Sequence, residues 1–112
     1  MENCIFCKII NGNIAANIQY EDEHVLAFDD VNPQAPVHIL VIPKKHISSI
    51  MDIGDNDLFK HLFSVIKNLV TKLNLMETGF RVVSNCGENA GQTVSHLHFH
   101  ILAGRPMRWP PG

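Results

Sequence analysis

No stretch of this 112-residue chain approaches the length of a membrane-spanning helix. Nor does the N-terminus carry an apolar segment behind a basic one, as a secretory leader would. Both absences make cytoplasmic residence the expectation. There is no basic run either. Nine Lys and Arg stand against eleven Asp and Glu, a formal net charge of −2, which argues against a nucleic-acid polymer as partner. A small nucleotide in a pocket needs no such charge. The cysteines number three, an odd count that argues against a disulfide framework. Internal repeats and linkers are missing, so residues 1–112 read as one domain with a single core. What remains is 46% hydrophobic and 18% charged, the composition of a globular protein.

Histidine, by contrast, is plentiful, with seven in the chain. Three of them alternate with apolar residues from His96 to Leu102. Alternation predicts a half-buried strand, with Leu97, Phe99 and Ile101 toward a core and His96, His98 and His100 on the other face. Over four residues a strand advances about 13 Å, so His96 and His100 are too far apart to share one ion. Such a row can be a solvated face, a chelating strip, or nucleophilic imidazole chemistry in which one ring attacks and its neighbours orient it or carry protons. The polar, Gly-containing lead-in from Asn85 to Thr93 favours the third, because such loops offer N–H groups and hydroxyls to phosphate oxygens.

The other elements follow from pattern. Cys4 to Ile10, stopped by Asn11-Gly12, predicts a short N-terminal helix. Gln19–Asp22 and Val25–Phe28 predict two strands, and the apolar run Val37–Pro43 a central third. Phe80–Asn85 and His96–Leu102 predict the fourth and fifth. Between them, Leu58, Leu62, Val65, Leu69 and Leu73 lie beside a row of Phe59, Phe63, Ile66 and Val70 and predict one main helix. Asp55 or Asn56 is suited to cap its start. The expectation is an α+β fold with an antiparallel sheet of about five strands. His24 and His61 are expected to face solvent without partners. The acidic loop Asp29–Pro36 reads, on pattern alone, as capped by Asp30, and His38 as a satisfied core residue.

The motif His96–Leu102 resembles that of the histidine triad (HIT) nucleotide-binding proteins at every position. The resemblance runs through Cys4–Ile10, Asp30–His38, Val41–Ile47 and the closing Gly104–Gly112. The ending Trp-Pro-Pro-Gly is similar to the Hint branch, the purine nucleoside phosphoramidases. The resemblance implies a HIT-like fold, a purine nucleotide as substrate or product, and a homodimer. It implies His98 as the nucleophile that forms a nucleotidyl-histidine intermediate, and His100 and His38 as its catalytic neighbours. Thr93, where the family usually has Ser, would bond the leaving atom. Asp30 would take the ribose hydroxyls, and Asn85, Gly91, Gln92 and Val94 would line the phosphate site. Ile5, Phe6, Ile9, Phe28 and Val31 match the apolar base pocket, though ordinary core packing explains them too. Trp109 would reach the neighbouring subunit's site. Asp29 departs from the Hint pattern.

No cofactor is required for this chemistry. Cys4 and Cys7 nevertheless sit at metal-ligand spacing, and many HIT proteins hold zinc with such a pair plus histidines at the positions of His46 and His96. Two small buried hydrophobes in a helix is the alternative. Two other functions stay open at this point: a nucleotide-binding adaptor with incidental turnover, and a dinucleoside polyphosphate hydrolase.

Overall fold

The computed structural model describes residues 3–112. Its elements run α1 (Ile5–Ile10), β1 (Ile18–Glu21), β2 (Val25–Asp29), β3 (Val37–Pro43), α2 (Asn56–Lys72), β4 (Phe80–Val83) and β5 (Phe99–Ala103), with a short 3-10 turn at Ile50–Asp52. The strands form one antiparallel sheet in the order β1-β2-β3-β5-β4. The fold is α+β with one main helix, as the pattern predicts.

β3 is central because it is apolar on both sides. Ile39 and Val41 join Val25, Ala27, Phe99 and Ile101 against Leu62, Val65, Ile66 and Leu69 of α2. Leu40 and Ile42 turn the other way, with Leu26 and Phe28, onto Phe6 of α1. Two cores thus sandwich the sheet, one on each face, where length alone led to the expectation of a single one, because β2 and β3 are apolar on both faces. The side chain of Asp55 accepts from the N–H of Asp57 and Leu58 and caps α2, a contact of about 1 kcal/mol. Asn74, at φ 56°, turns the chain after α2 in the left-handed conformation that Asn tolerates.

The fifth strand is shorter at its start than the alternation predicts. It begins at Phe99 rather than His96, and its ladder with β3 runs only from Val41↔Phe99 to Val37↔Ala103. Two residues further on, the position opposite Leu97 is Pro43, which has no N–H to give. The Leu97 N–H bonds instead to the Ile47 carbonyl at 2.6 Å. β4 likewise stops at Val83, two residues before the predicted end. His38 and His100 lie on the α1 side of the sheet, since His38 pairs with Leu102 and Leu40 with His100.

Candidate active site

His98 lies just before β5 and is buried. Its Nδ1–H donates to the His96 carbonyl at 2.7 Å. That bond leaves Nε2 with its lone pair and, among the described residues, no hydrogen-bond partner. Phe6 packs edge-on to the ring, with centroids 5.1 Å apart, and holds its plane.

His100 and His38 form a chain whose proton positions can be read off one backbone bond. The Gln34 N–H donates to His38 Nδ1 at 3.0 Å, so the proton of His38 sits on Nε2. Nε2–H then donates to His100 Nδ1 at 2.8 Å, and His100 is left with a free Nε2–H donor. Burial, with His98 and His38 adding to it, pulls the His100 imidazolium down to about 4 against a weaker opposing pull from Asp30. Burial also lowers His38, again opposed by Asp30. Both rings are therefore neutral at pH 7. Asp30 reaches His38 Nε2 at 3.4 Å while its other oxygen accepts the Asn32 N–H at 2.8 Å. It caps the loop and faces the histidines at once. Asp30, His38 and His100 are close enough to be considered as metal ligands. The 2.8 Å between the two nitrogens is the separation of a hydrogen bond, however. Two nitrogens on one tetrahedral zinc stand about 3.3 Å apart.

His96 belongs to a different group. Its Nε2–H donates to the Pro43 carbonyl at 2.8 Å, which turns an unprotonated Nδ1 toward Cys4 Sγ at 3.4 Å, Cys7 Sγ at 3.7 Å and His46 Nδ1 at 3.2 Å. Cys7 Sγ lies 3.4 Å from His46 Nδ1. Ligands of a tetrahedral zinc stand about 3.3 Å apart for two nitrogens and about 3.6 Å for nitrogen and sulfur, so the four donors fit that ion. Burial and the neighbouring Cys4 push the Cys7 thiol up, a penalty on the thiolate that a cation would remove. Burial lowers His96, which keeps it in the neutral form a metal needs. A cavity of about 560 Å³ opens beside this group, lined by Cys4, His46, Thr93 and Val94 among others.

The remaining predicted site residues are distributed as follows. Asn85 donates to the Ala90 carbonyl. Gln92 accepts the Gly87 N–H and donates to the Ser48 and Val94 carbonyls. Their side chains are spent on shaping the loop, and Gly91, at φ 78°, makes its turn. Phe6 and Phe28 are buried and meet edge-to-face at 5.6 Å, with Ile9 packed against them. Ile5 is half exposed, Val31 is 95% exposed and Trp109 is 83% exposed. Gln34 and Pro43 carry no signal in the sequence for these contacts, because each acts through its backbone. His61 differs from expectation. It is half-buried and donates to Asp22 at 2.6 Å, a carboxylate that also takes the Tyr20 hydroxyl and two backbone N–H groups. His24 is exposed as predicted, although its backbone N–H is one of those two.

With this geometry in view, the family model described as HIT domain matches residues 11–107. An uncharacterized HIT-like protein of Synechocystis is 50% identical over 113 residues, covering 99% of this chain and 98% of the relative. The crystal structure of a HIT family hydrolase from Legionella pneumophila superposes with a TM-score of 0.93 at 48% identity, covering 98% of this chain and all of the other. A histidine triad nucleotide-binding protein from Candida albicans gives a TM-score of 0.85 at 35% identity, over 96% of this chain and 83% of that one.

Proposed function

The chain belongs to the HIT domain family, and on that premise we propose that it hydrolyses purine nucleoside 5′-phosphoramidates through a nucleotidyl intermediate on His98. One observation carries the reading. The bond from His98 Nδ1–H to the His96 carbonyl presents Nε2 as an unprotonated, unshared nucleophile. In the proposed reaction Nε2 attacks the α-phosphorus, the P–N bond breaks, and the amine departs with a proton taken from water. Water then cleaves the P–N bond to the imidazole and releases the nucleoside monophosphate. The free Nε2–H of His100 suits a phosphate oxygen, held in that state by the Gln34–His38–His100 chain. Thr93, exposed beside the cavity, would offer its hydroxyl to the leaving nitrogen.

Cys4, Cys7, His46 and His96 would hold a zinc ion whose contribution is structural. It would tie α1 to the approach to β5 and take no part in the chemistry. A homodimer of the Hint type, with Trp109 reaching the partner's site, completes the proposal. The exposed Trp109 supports it, since a Trp left in water marks an interface when it stands with other apolar surface.

The test of the nucleophile is direct. His98→Asn is expected to abolish hydrolysis of an adenosine phosphoramidate while AMP affinity stays within about tenfold. In the unsubstituted protein, rapid-quench mass spectrometry should find AMP on His98. Turnover retained by the variant, or AMP trapped on another histidine, would remove His98 from the role.

A further inference from the structure

The chain has three arginines, and all of them line one groove. Arg81 comes from β4, while Arg105 and Arg108 come from the C-terminal tail. Val83 and Leu102 also line the groove, which has a volume of about 280 Å³. Arg81 pairs with Leu102, and Leu102 pairs with His38. Residues directly opposite on antiparallel strands share a face. Arg81 therefore stands on the histidine face, two strands from His38 and roughly 10 Å away at about 4.8 Å per strand. In the neighbouring row Val83 pairs with His100. The groove continues the histidine face toward the β4 edge.

Among the described residues, none of the three guanidiniums has a carboxylate within 4.0 Å. Backbone carbonyls hold two of them instead. Arg81 Nη2 donates to the Arg108 carbonyl at 2.9 Å. Arg105 donates from Nε to the Gln34 carbonyl at 3.1 Å and from Nη1 to the Pro106 carbonyl at 3.0 Å. These bonds fix the side chains but leave their charge uncompensated and several of the five N–H donors of each fork unused. Like charges gathered this closely repel, and the chain as a whole is acidic, so the cluster does not stabilise the fold by itself. Fixed guanidinium forks match the oxygens of carboxylates and phosphates.

We propose that this groove binds an acidic group carried by the leaving amine, so that the substrates are nucleoside phosphoramidates whose amine bears a carboxylate or phosphate several bonds from the scissile nitrogen. The proposal rests on the phosphoramidase reading and names its substrate class. The bound anion takes no part in bond making or breaking. Its effect is on selection between amines, and salt should screen it, since Arg105 and Arg108 are exposed in the single chain.

Three adenosine 5′-phosphoramidates test this, made from hexylamine, 6-aminohexanoate and 6-aminohexyl phosphate. Wild-type kcat/KM should be about tenfold higher for at least one acidic amine than for hexylamine, with the advantage shrinking several-fold as sodium chloride rises to about 0.5 M. Preference for the carboxylate or the phosphate then identifies the anion. Arg105→Gln and Arg108→Gln, both in the exposed tail, should each move the ratio toward one, and Arg81→Gln should do the same if it folds. Equal wild-type kcat/KM for all three compounds would overturn the groove and leave the phosphoramidase reading standing. A preference unchanged in Arg105→Gln and Arg108→Gln would also overturn it. Turnover of none of the three would remove the reading itself, and the groove's assignment with it.

Discussion

His96 and His98 both donate to backbone carbonyls, yet through opposite ring nitrogens. That difference turns Nδ1 of His96 toward the cysteines and leaves Nε2 of His98 free, so two residues of one motif are fitted for different chemistry. The same logic of local partners applies to Asp22. Burial alone would raise its carboxyl, but bonds from the Tyr20 hydroxyl, the His24 N–H, His61 and the Val25 N–H outweigh it and hold the group well below the usual carboxylate range. A carboxyl depressed in the folded state stabilises the fold above its unfolded value, about 3.9, and loses that contribution as pH falls. Asp22→Asn should therefore be about 1–2 kcal/mol less stable than wild type at pH 7, with the gap narrowing between about pH 5 and pH 3. Urea denaturation across that range checks it, and a gap independent of pH would mean that Asp22 acts by packing alone. His100, drawn down to about 4, has the same sign. Its contribution is present above about 6.5 and fades below, but it is common to both proteins and cancels in the difference.

At the scale of elements, α1 is the one that cannot stand by itself. It has six residues, fewer than an isolated helix needs in water. Phe6 in the second core anchors it, and Cys4 and Cys7 bring it to His46 and His96. If these four hold zinc, purified protein should contain close to one zinc per chain by elemental analysis. Chelation, or Cys4→Ser, should then cost about 2 kcal/mol and lower Tm by roughly 6–12 °C. A Tm indifferent to chelation would leave the cysteines as packing residues. Part of the activity should survive metal loss, since His98 is not among the ligands.

For the whole molecule, the tail after β5 decides what the histidine face can meet. Gly104 starts it at φ 96°, where a Cβ would lie 2.8 Å from Pro36. Only glycine allows the tail to leave β5 against the loop that carries Asp30. Beyond it, Trp109 stands 83% exposed, and Phe63 and Phe80 are also uncovered. In the proposed homodimer these surfaces would be buried. Sedimentation should give a dimer at micromolar concentration, and deleting residues 108–112 should change the relative kcat/KM of different amines more than it changes AMP affinity. A monomer, or a deletion without effect on amine choice, would refute the shared site.

The sequence by itself determined the layout. The run Val37–Pro43, apolar but for His38, requires a strand covered on both faces, the rows around Leu62 and Leu69 require a helix over one of them, and the spacing of His98 and His100 puts two imidazoles on one face, because periodicity is a local property of the chain. Tertiary structure decided which partners each group meets. Whether His96 continues a strand or turns to Cys4 depends on Pro43, fifty-three residues away. Which nitrogen of His38 carries the proton depends on the backbone of Gln34. Whether His61 is partnered depends on a turn thirty-nine residues earlier. That three scattered arginines share a groove depends on the register of β4 against β5 and on the path of the tail. A backbone carbonyl or N–H is the same at every position of the sequence, and only the fold gives it a neighbour.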